Sequence, residues 1–174
     1  MTEREKMLCG KLYDTSDKEL ASRRDLVHAL CITYNQTFDT DKRKREEIIN
    51  KIIPGMSEGG YIQGPFFCDY GDNIYIGKNF YANFNFTVLD CAKVVIGENE
   101  MIGPNVSILT PIHPFLASQR NFRKHNDGSL YNIEYSKPVT ICENCWIAGN
   151  VTICGGVTIG SDCVIGAGSV VTSL

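Results

Sequence analysis

An aliphatic side chain returns at every sixth residue along the C-terminal half of this chain: Ile141, Ile147, Ile153, Ile159, Ile165 and Val171. The same beat runs through Ile76, Ala82 and Val88, and again through Ile96, Ile102 and Ile108. Helices place apolar residues three and four apart and strands alternate by two. A fixed short period held over this length belongs to a stacked solenoid, whose units bury their apolar side only against neighbours. Four residues after an aliphatic comes a slimmer side chain, as at Val106, Cys145, Val151, Val157, Cys163 and Ser169. Two inward positions per six describe a short strand and a corner. Three such units close a triangular coil of about 18 residues, which stacks Cys145 under Cys163 and Ile147 under Ile165. Gly follows the aliphatic at Gly77, Gly97, Gly103, Gly160 and Gly166, which predicts a bend that a side chain would forbid. An antiparallel sandwich is the alternative, but its turns fall roughly 8 to 12 residues apart and would not keep one phase.

The phase slips twice, between Val88 and Ile96 and between Ile108 and Ile141. The polar stretch from Pro111 to Pro138 lacks the repeat and is predicted to be a long loop thrown from one coil. Loops of that length in compact domains usually carry function. Residues 1–54 read as a helical cap and residues 55–174 as the solenoid, with the loop at about 111–138. In the cap, Ser16 and Glu19 form the two ends of a capping box, followed by Leu20, Val27, Leu30 and Tyr34 at helical spacing. A second helix has Ile48, Ile49, Ile52 and Ile53 on its apolar side, with the charges from Lys42 to Glu47 as a solvated face, and stops at Pro54-Gly55. Such a piece covers the terminal strands of a solenoid, which otherwise expose apolar surface and unpaired edges.

Composition narrows the function. A net charge of −3 gives no basic footprint for nucleic acid. No apolar run approaches the roughly 18 residues of a membrane span, and no secretory core follows the N-terminus, so a cytoplasmic protein is expected. The eight cysteines sit largely at inward and corner positions of the repeat, where thiols act as small hydrophobes. Cys142 and Cys145 form a C-x-x-C without the second pair or histidines that zinc would want, so no metal is expected.

Chemistry concentrates on one of three histidines. His28 lies on the first long predicted helix beside Arg24, and His125 in the polar loop; both read as surface residues. His113 stands in Thr110-Pro111-Ile112-His113-Pro114, where the coil breaks into the loop and two prolines restrict the backbone. Imidazole titrates nearest neutrality and suits a general base for a hydroxyl or amine. Its other nitrogen would be oriented by a carboxylate or carbonyl, for which Glu134 is a candidate. Nothing in the sequence sets Cys91 beside a base as a nucleophile. One coil earlier lies a polar and aromatic cluster, Asp69-Tyr70-Gly71-Asp72-Asn73, Asn79 to Asn85, and Asp90. Its amides read either as structural ladders or as donors to an oxyanion or sugar hydroxyl. The single tryptophan, Trp146, falls on a coil exterior.

At these residues the chain resembles the hexapeptide-repeat sugar O-acetyltransferases that act on maltose, glucose or galactosides. The likeness rests on Cys68-Asp69-Tyr70-Gly71, Asn79-Phe80-Tyr81-Ala82-Asn83-Phe84, Pro104-Asn105-Val106, His113-Pro114, Lys137 to Ile141, Gly156 to Gly160, and the helical start from Glu5 to Tyr13. Leu89-Asp90-Cys91 and Glu134 lean toward the maltose branch; the galactoside branch carries a second carboxylate where Cys91 stands. The resemblance implies an all-β solenoid, a left-handed parallel β-helix with a small N-terminal helical cap, assembled as a homotrimer with sites between subunits. It implies acetyl-CoA as donor, a sugar as acceptor, and direct transfer without an acyl-enzyme. His113 would be the base and Asn83 would contact substrate and help hold the oxyanion. Arg24, Asp69, Tyr81 and Asp90 would line the acceptor pocket. Trp146, Gly149, Ala167 and Thr172 would lie along CoA. The family continues after Thr172 with a Lys, a further coil and a tail that touch CoA, so a shortened chain or an incomplete donor site is expected here. The alternatives are another small-molecule acetyltransferase and a non-catalytic scaffold. A zinc carbonic anhydrase on the same solenoid would need three imidazoles, and only His113 lies outside the helix and the polar loop.

Overall fold

The structure, a computed structural model, describes residues 1–172; the expectation about the chain after Thr172 lies outside them. The chain opens with α1 (Glu3–Leu8), β1 (Tyr13–Asp14), α2 (Lys18–Asn35) and α3 (Lys42–Ile52). Five coils follow. They are β2 (Gly55–Met56), β3 (Tyr61–Ile62), β4 (Phe66–Cys68); β5 (Ile74–Ile76), β6 (Tyr81–Ala82), β7 (Phe86–Leu89); and β8 (Val94–Ile96), β9 (Met101–Ile102), β10 (Ser107–Leu109). An excursion made of β11 (Pro111–Ile112), α4 (Ala117–Arg120), β12 (Arg123–Lys124), β13 (Leu130–Tyr131) and β14 (Ile133–Ser136) intervenes. The last two coils are β15 (Val139–Ile141), β16 (Trp146–Ile147), β17 (Thr152–Cys154), and β18 (Thr158–Ile159), β19 (Val164–Ile165), β20 (Val170–Val171). Parallel pairing stacks the coils into three five-stranded faces, led by β2, β3 and β4 respectively.

The six-residue beat is the inward ladder of this prism. Ile76, Ile96, Ile141 and Ile159 stack on the first face. Ala82, Ile102, Ile147 and Ile165 stack on the second, and Val88, Ile108, Ile153 and Val171 on the third. Met56, Ile62 and Cys68 begin the same columns. The early coils advance twenty residues, Ile76 lying beside Ile96, rather than the eighteen that separate Ile141 from Ile159. The extra length falls at the third corner, between the third face and the first of the next coil.

The glycines act differently from expectation. None of Gly77, Gly97 and Gly103 has a positive φ; a Cβ there would stand 2.6 Å from the backbone of the coil above, so these positions permit close stacking. The bend comes instead from left-handed Asn79, Asn99 and Asn144 at the first corner and Asn85, Asn105 and Asn150 at the second. Asn tolerates that region because its short amide bonds locally. Here each amide also bonds the one above, Asn79 Nδ2 donating to Asn99 Oδ1 at 2.9 Å and Asn85 Nδ2 to Asn105 Oδ1 at 2.9 Å.

Helices α2 and α3 close the N-terminal end: Val27, Cys31, Tyr34, Ile48, Ile49, Ile52 and Ile53 share one core with the coils. The cap of α2 is Asp17, whose carboxylate accepts from the Glu19 and Leu20 amides, and not Ser16, which bonds Asp14 instead. The capping box lies at α1, between Thr2 and Glu5. Nor are the charges of α3 all solvated: Arg45 is buried, its guanidinium 4.4 Å from the Tyr34 ring centre and donating to the Ile62 carbonyl at 2.9 Å. The polar loop is not structureless either. Strand β14 returns antiparallel to β11 and pairs on its other side with β1, while β12 and β13 make a hairpin.

Candidate active site

The long third corner gathers the titratable groups. Thr110 ends the third face; its hydroxyl donates to the Leu89 carbonyl at 2.6 Å and accepts from the Ala92 amide at 3.0 Å. From there β11 carries the chain outward to His113. Because β14 lies between β11 and β1, Glu134 stands opposite Tyr13 and beside the His113 turn. The Ser136 hydroxyl donates to the carbonyls of Met7 at 2.8 Å and Cys91 at 3.1 Å, which binds α1, the excursion and the coil together.

The imidazole of His113 has its Nδ1 3.4 Å from the Ile133 carbonyl and its Nε2 3.7 Å from Glu134 Oε2. A carbonyl only accepts, so in the neutral ring Nδ1 carries the hydrogen and Nε2 keeps the free lone pair. The orienting group is therefore the Ile133 carbonyl; Glu134 faces the basic nitrogen. The ring is 44 % exposed and Glu134 only 12 %. The hydroxyl of buried Tyr13 donates to Glu134 Oε1. Burial first, and then the nearby Cys91 and Glu134, push the Tyr13 phenol far above its ordinary value, so it stays a donor.

Asp69 and Cys91 continue the cluster. The Cys91 thiol lies 3.6 Å from both Asp69 Oδ2 and Glu134 Oε1. Burial, then the two carboxylates, hold it far above the usual thiol range. A thiol kept protonated is a poor nucleophile, which removes Cys91 from that role at neutral pH. His28 turns toward this cluster, Nε2 3.4 Å from Asp69 Oδ1. Arg24 donates to the Tyr70 hydroxyl at 3.2 Å and to the Thr15 carbonyl at 3.4 Å. His125 in turn reaches Asp14 at 3.1 Å and stacks on Tyr131.

Asp90, expected along the acceptor pocket, is turned inward in this chain. It is fully buried and its carboxylate accepts from the amides of Asp69 at 3.1 Å and Tyr70 at 2.8 Å. Burial, offset in part by the Tyr70 amide, pushes it up to about 6. Its work is to shape the turn that presents Asp69. The remaining candidates lie elsewhere on the chain. Tyr81 is on the second face, stacked on Tyr61 at 6.3 Å. Asn83 follows at the second corner, its Oδ1 accepting from the Phe84 amide at 2.8 Å. Trp146, half exposed, is on the second face, with Gly149 and Ala167 at the second corner above it and Thr172 past β20. Arg24, Asp69, His113 and Glu134 are thus brought together, and Tyr81, Asn83, Trp146, Gly149 and Ala167 form a separate group. Tyr13 and His28 join the first group unforeseen, and so does the bond of Tyr70, a member of the polar and aromatic cluster, to Arg24. Their partners are more than forty residues away in sequence, and no local spacing announces them. Among the described residues, no group of three or more His, Cys, Asp or Glu could hold a metal ion, and no helix is long and apolar enough to cross a membrane.

Residues 6–56 match the sequence family described as the maltose acetyltransferase hexapeptide capping motif, and residues 138–173 match the bacterial transferase hexapeptide of six repeats. The chain is 38% identical to the galactoside O-acetyltransferase of Escherichia coli K12, over 99% of this chain and 79% of that protein. It superposes on the crystal structure of a maltose O-acetyltransferase from Clostridium difficile 630 with a TM-score of 0.90 and 43% identity, covering 99% of this chain and 87% of that one. It also superposes on a galactoside acetyltransferase in complex with coenzyme A, with a TM-score of 0.88 and 38% identity over 99% and 82% of the two chains.

Proposed function

This chain belongs to the hexapeptide-repeat acetyltransferases of the maltose and galactoside group, and on that premise we propose that it acetylates a hydroxyl of maltose, glucose or a related sugar. It is an acetyl-CoA-dependent O-acetyltransferase; the acceptor, the base and the route are the proposal. The observation that carries it is the imidazole of His113, tied through Nδ1 to a carbonyl and offering Nε2 at an exposed corner. Acetyl-CoA supplies an activated thioester carbonyl. Nε2 takes the proton of the acceptor hydroxyl as its oxygen bonds to that carbonyl carbon. The proton then passes to the departing CoA sulfur, leaving the sugar ester, free thiol and a neutral ring, with no acyl-enzyme. Asp69 and Arg24 would hold the sugar, and Glu134 would favour the imidazolium that forms in between.

The oxyanion and the donor need groups that this corner lacks. The Asn83 amide nitrogen has no partner among the described residues, which suits a donor to the oxyanion, yet it sits at the second corner. A second copy resolves the separation if its second face meets the third corner of the first. Tyr61, Tyr81, Met101, Trp146 and Val164 form one outward column on that face, four of them exposed. Phe115, Leu116 and Phe122 project from the excursion. Apolar surface of this kind marks an association site. We assign the chain to a homotrimer with sites between subunits, CoA lying along Trp146, Gly149, Ala167 and Thr172. The small side chains at the latter corner leave room for a pantetheine arm; a Cβ on Gly168 would meet nothing within 4 Å. A cytoplasmic setting suits eight cysteines that are all free thiols.

The test is release of CoA thiol from acetyl-CoA with maltose, glucose or a galactoside as acceptor. His113→Ala should reduce kcat by roughly 10²–10⁴-fold with the fold intact. Full activity in that variant would remove His113 as base, and no release with any acceptor would remove the sugar assignment.

A further inference from the structure

Glu134 presents its two oxygens to different partners, and the division is set by a residue from the other end of the sequence. We infer that Tyr13 is a positioning residue for the transfer, restraining Glu134 so that its carboxylate faces His113 Nε2 without binding it. The inference rests on the reading of His113 as the base.

Strand β1 contributes little more than this side chain to the site. It pairs with β14 so that Tyr13 lies directly opposite Glu134, and the phenol is buried with its hydroxyl on Oε1. The other groups around the carboxylate are the Cys91 thiol on Oε1 and the imidazole facing Oε2. Beyond Cys91 come Asp69 with His28, then Arg24 on Tyr70 and the buried Asp90. A gap of 3.7 Å between Oε2 and Nε2 is too long for a hydrogen bond. The nitrogen lone pair therefore stays available to a sugar hydroxyl, while the negative charge is close enough to favour the imidazolium once the proton arrives. Without the phenol hydroxyl, a weak thiol donor alone would hold Oε1. The carboxylate could then turn and close on Nε2, competing with the acceptor for the site where the proton must land.

The experiment compares pH profiles of kcat and kcat/KM for the full chain, Tyr13→Phe, Glu134→Gln and the double variant, with acetyl-CoA and maltose. Tyr13→Phe keeps the ring and should lower kcat roughly tenfold, leave the maltose KM nearly unchanged, and move the acidic limb of the profile up by about one unit. On the Glu134→Gln background the same change should do nothing further. An equal loss on both backgrounds, or a loss without movement of the limb, would mean that Tyr13 only packs β1 against β14 and would overturn the inference. If Tyr13→Phe does not fold, Glu134→Gln alone decides: the limb must move down, and an unmoved limb overturns it. His113→Ala measured alongside separates the two readings. Full activity there overturns the base assignment and this inference with it; lost activity with uncoupled Tyr13 and Glu134 overturns only this one.

Discussion

Glu100 is the residue most at odds with its surroundings. It occupies an inward rung between Phe80 and Cys145, fully buried, with Oε1 accepting from the Cys145 amide at 2.9 Å and Oε2 without a partner. Burial pushes its carboxyl from 4.5 up to about 7. The folded state therefore binds the proton more tightly than the unfolded chain. Its contribution is full below pH 4.5 and is lost as pH rises through about 7, a swing on the order of 3 kcal/mol. Glu100→Gln, which keeps an acceptor for Cys145, should raise the thermal midpoint at pH 8 and have little effect at pH 4.5. Equal midpoints at pH 8 would show that the carboxylate finds water or a cation there. Arg45 presents a related case, a buried charge whose two terminal nitrogens are bonded while its Nε has no hydrogen-bond partner. Its fork reaches Tyr34, Thr37 and Ile62, so Arg45→Lys should destabilise by about 2–4 kcal/mol, as read by urea unfolding. In the sequence Arg45 is the last of four consecutive basic residues and its environment is invisible, because burial was decided by Tyr34 and Tyr61 arriving from elsewhere.

Among the elements, the corners carry the regularity more than the strands, which are only two to four residues long. Asn105 holds a φ of 57° and bonds Asn85 below and Asn150 above. Asn105→Ala loses both amide bonds and takes up left-handed strain of about 1–2 kcal/mol. Asn105→Gly should lose the bonds without that strain. Denaturant midpoints should rank the natural chain first, the Gly variant second and the Ala variant last; a Gly variant no better than Ala would mean that the ladder bonds, not backbone strain, dominate. The aliphatic period made the inward columns legible, because six-residue spacing admits few other folds. It did not reveal which corner residue turns the chain. Gly after Ile was the natural reading, yet the coils approach so closely that Gly is needed for lack of a Cβ. The structured excursion was hidden for a related reason: β1, β11 and β14 are short strands without apolar alternation, stable only because they pair with one another.

For the whole molecule, the decisive prediction concerns the separation of His113 from Asn83. If sites form between copies, His113→Ala and Asn83→Ala chains should each be nearly inactive alone. Mixed and reassembled, they should recover a substantial fraction of the natural rate, since some sites would receive an intact His113 from one chain and an intact Asn83 from the other. Rate measurement after refolding the mixture, with sedimentation to count the subunits, checks this; no recovery in a verified mixed oligomer would place both residues in one chain's own site.

The sequence by itself determined the stacked coils, their inward ladder and the corner at which the rhythm slips, because a period is a local property that survives without knowledge of contacts. The same slips at Val88 and Ile108 pointed to the corner where His113 stands. Tertiary structure alone decided which groups meet there. Tyr13 reaches Glu134 and His28 reaches Asp69 only because β1 and α2 are folded back along that corner. Asp90, which the family resemblance placed in the acceptor pocket, is turned inward, where three backbone amides at the same turn bond its carboxylate.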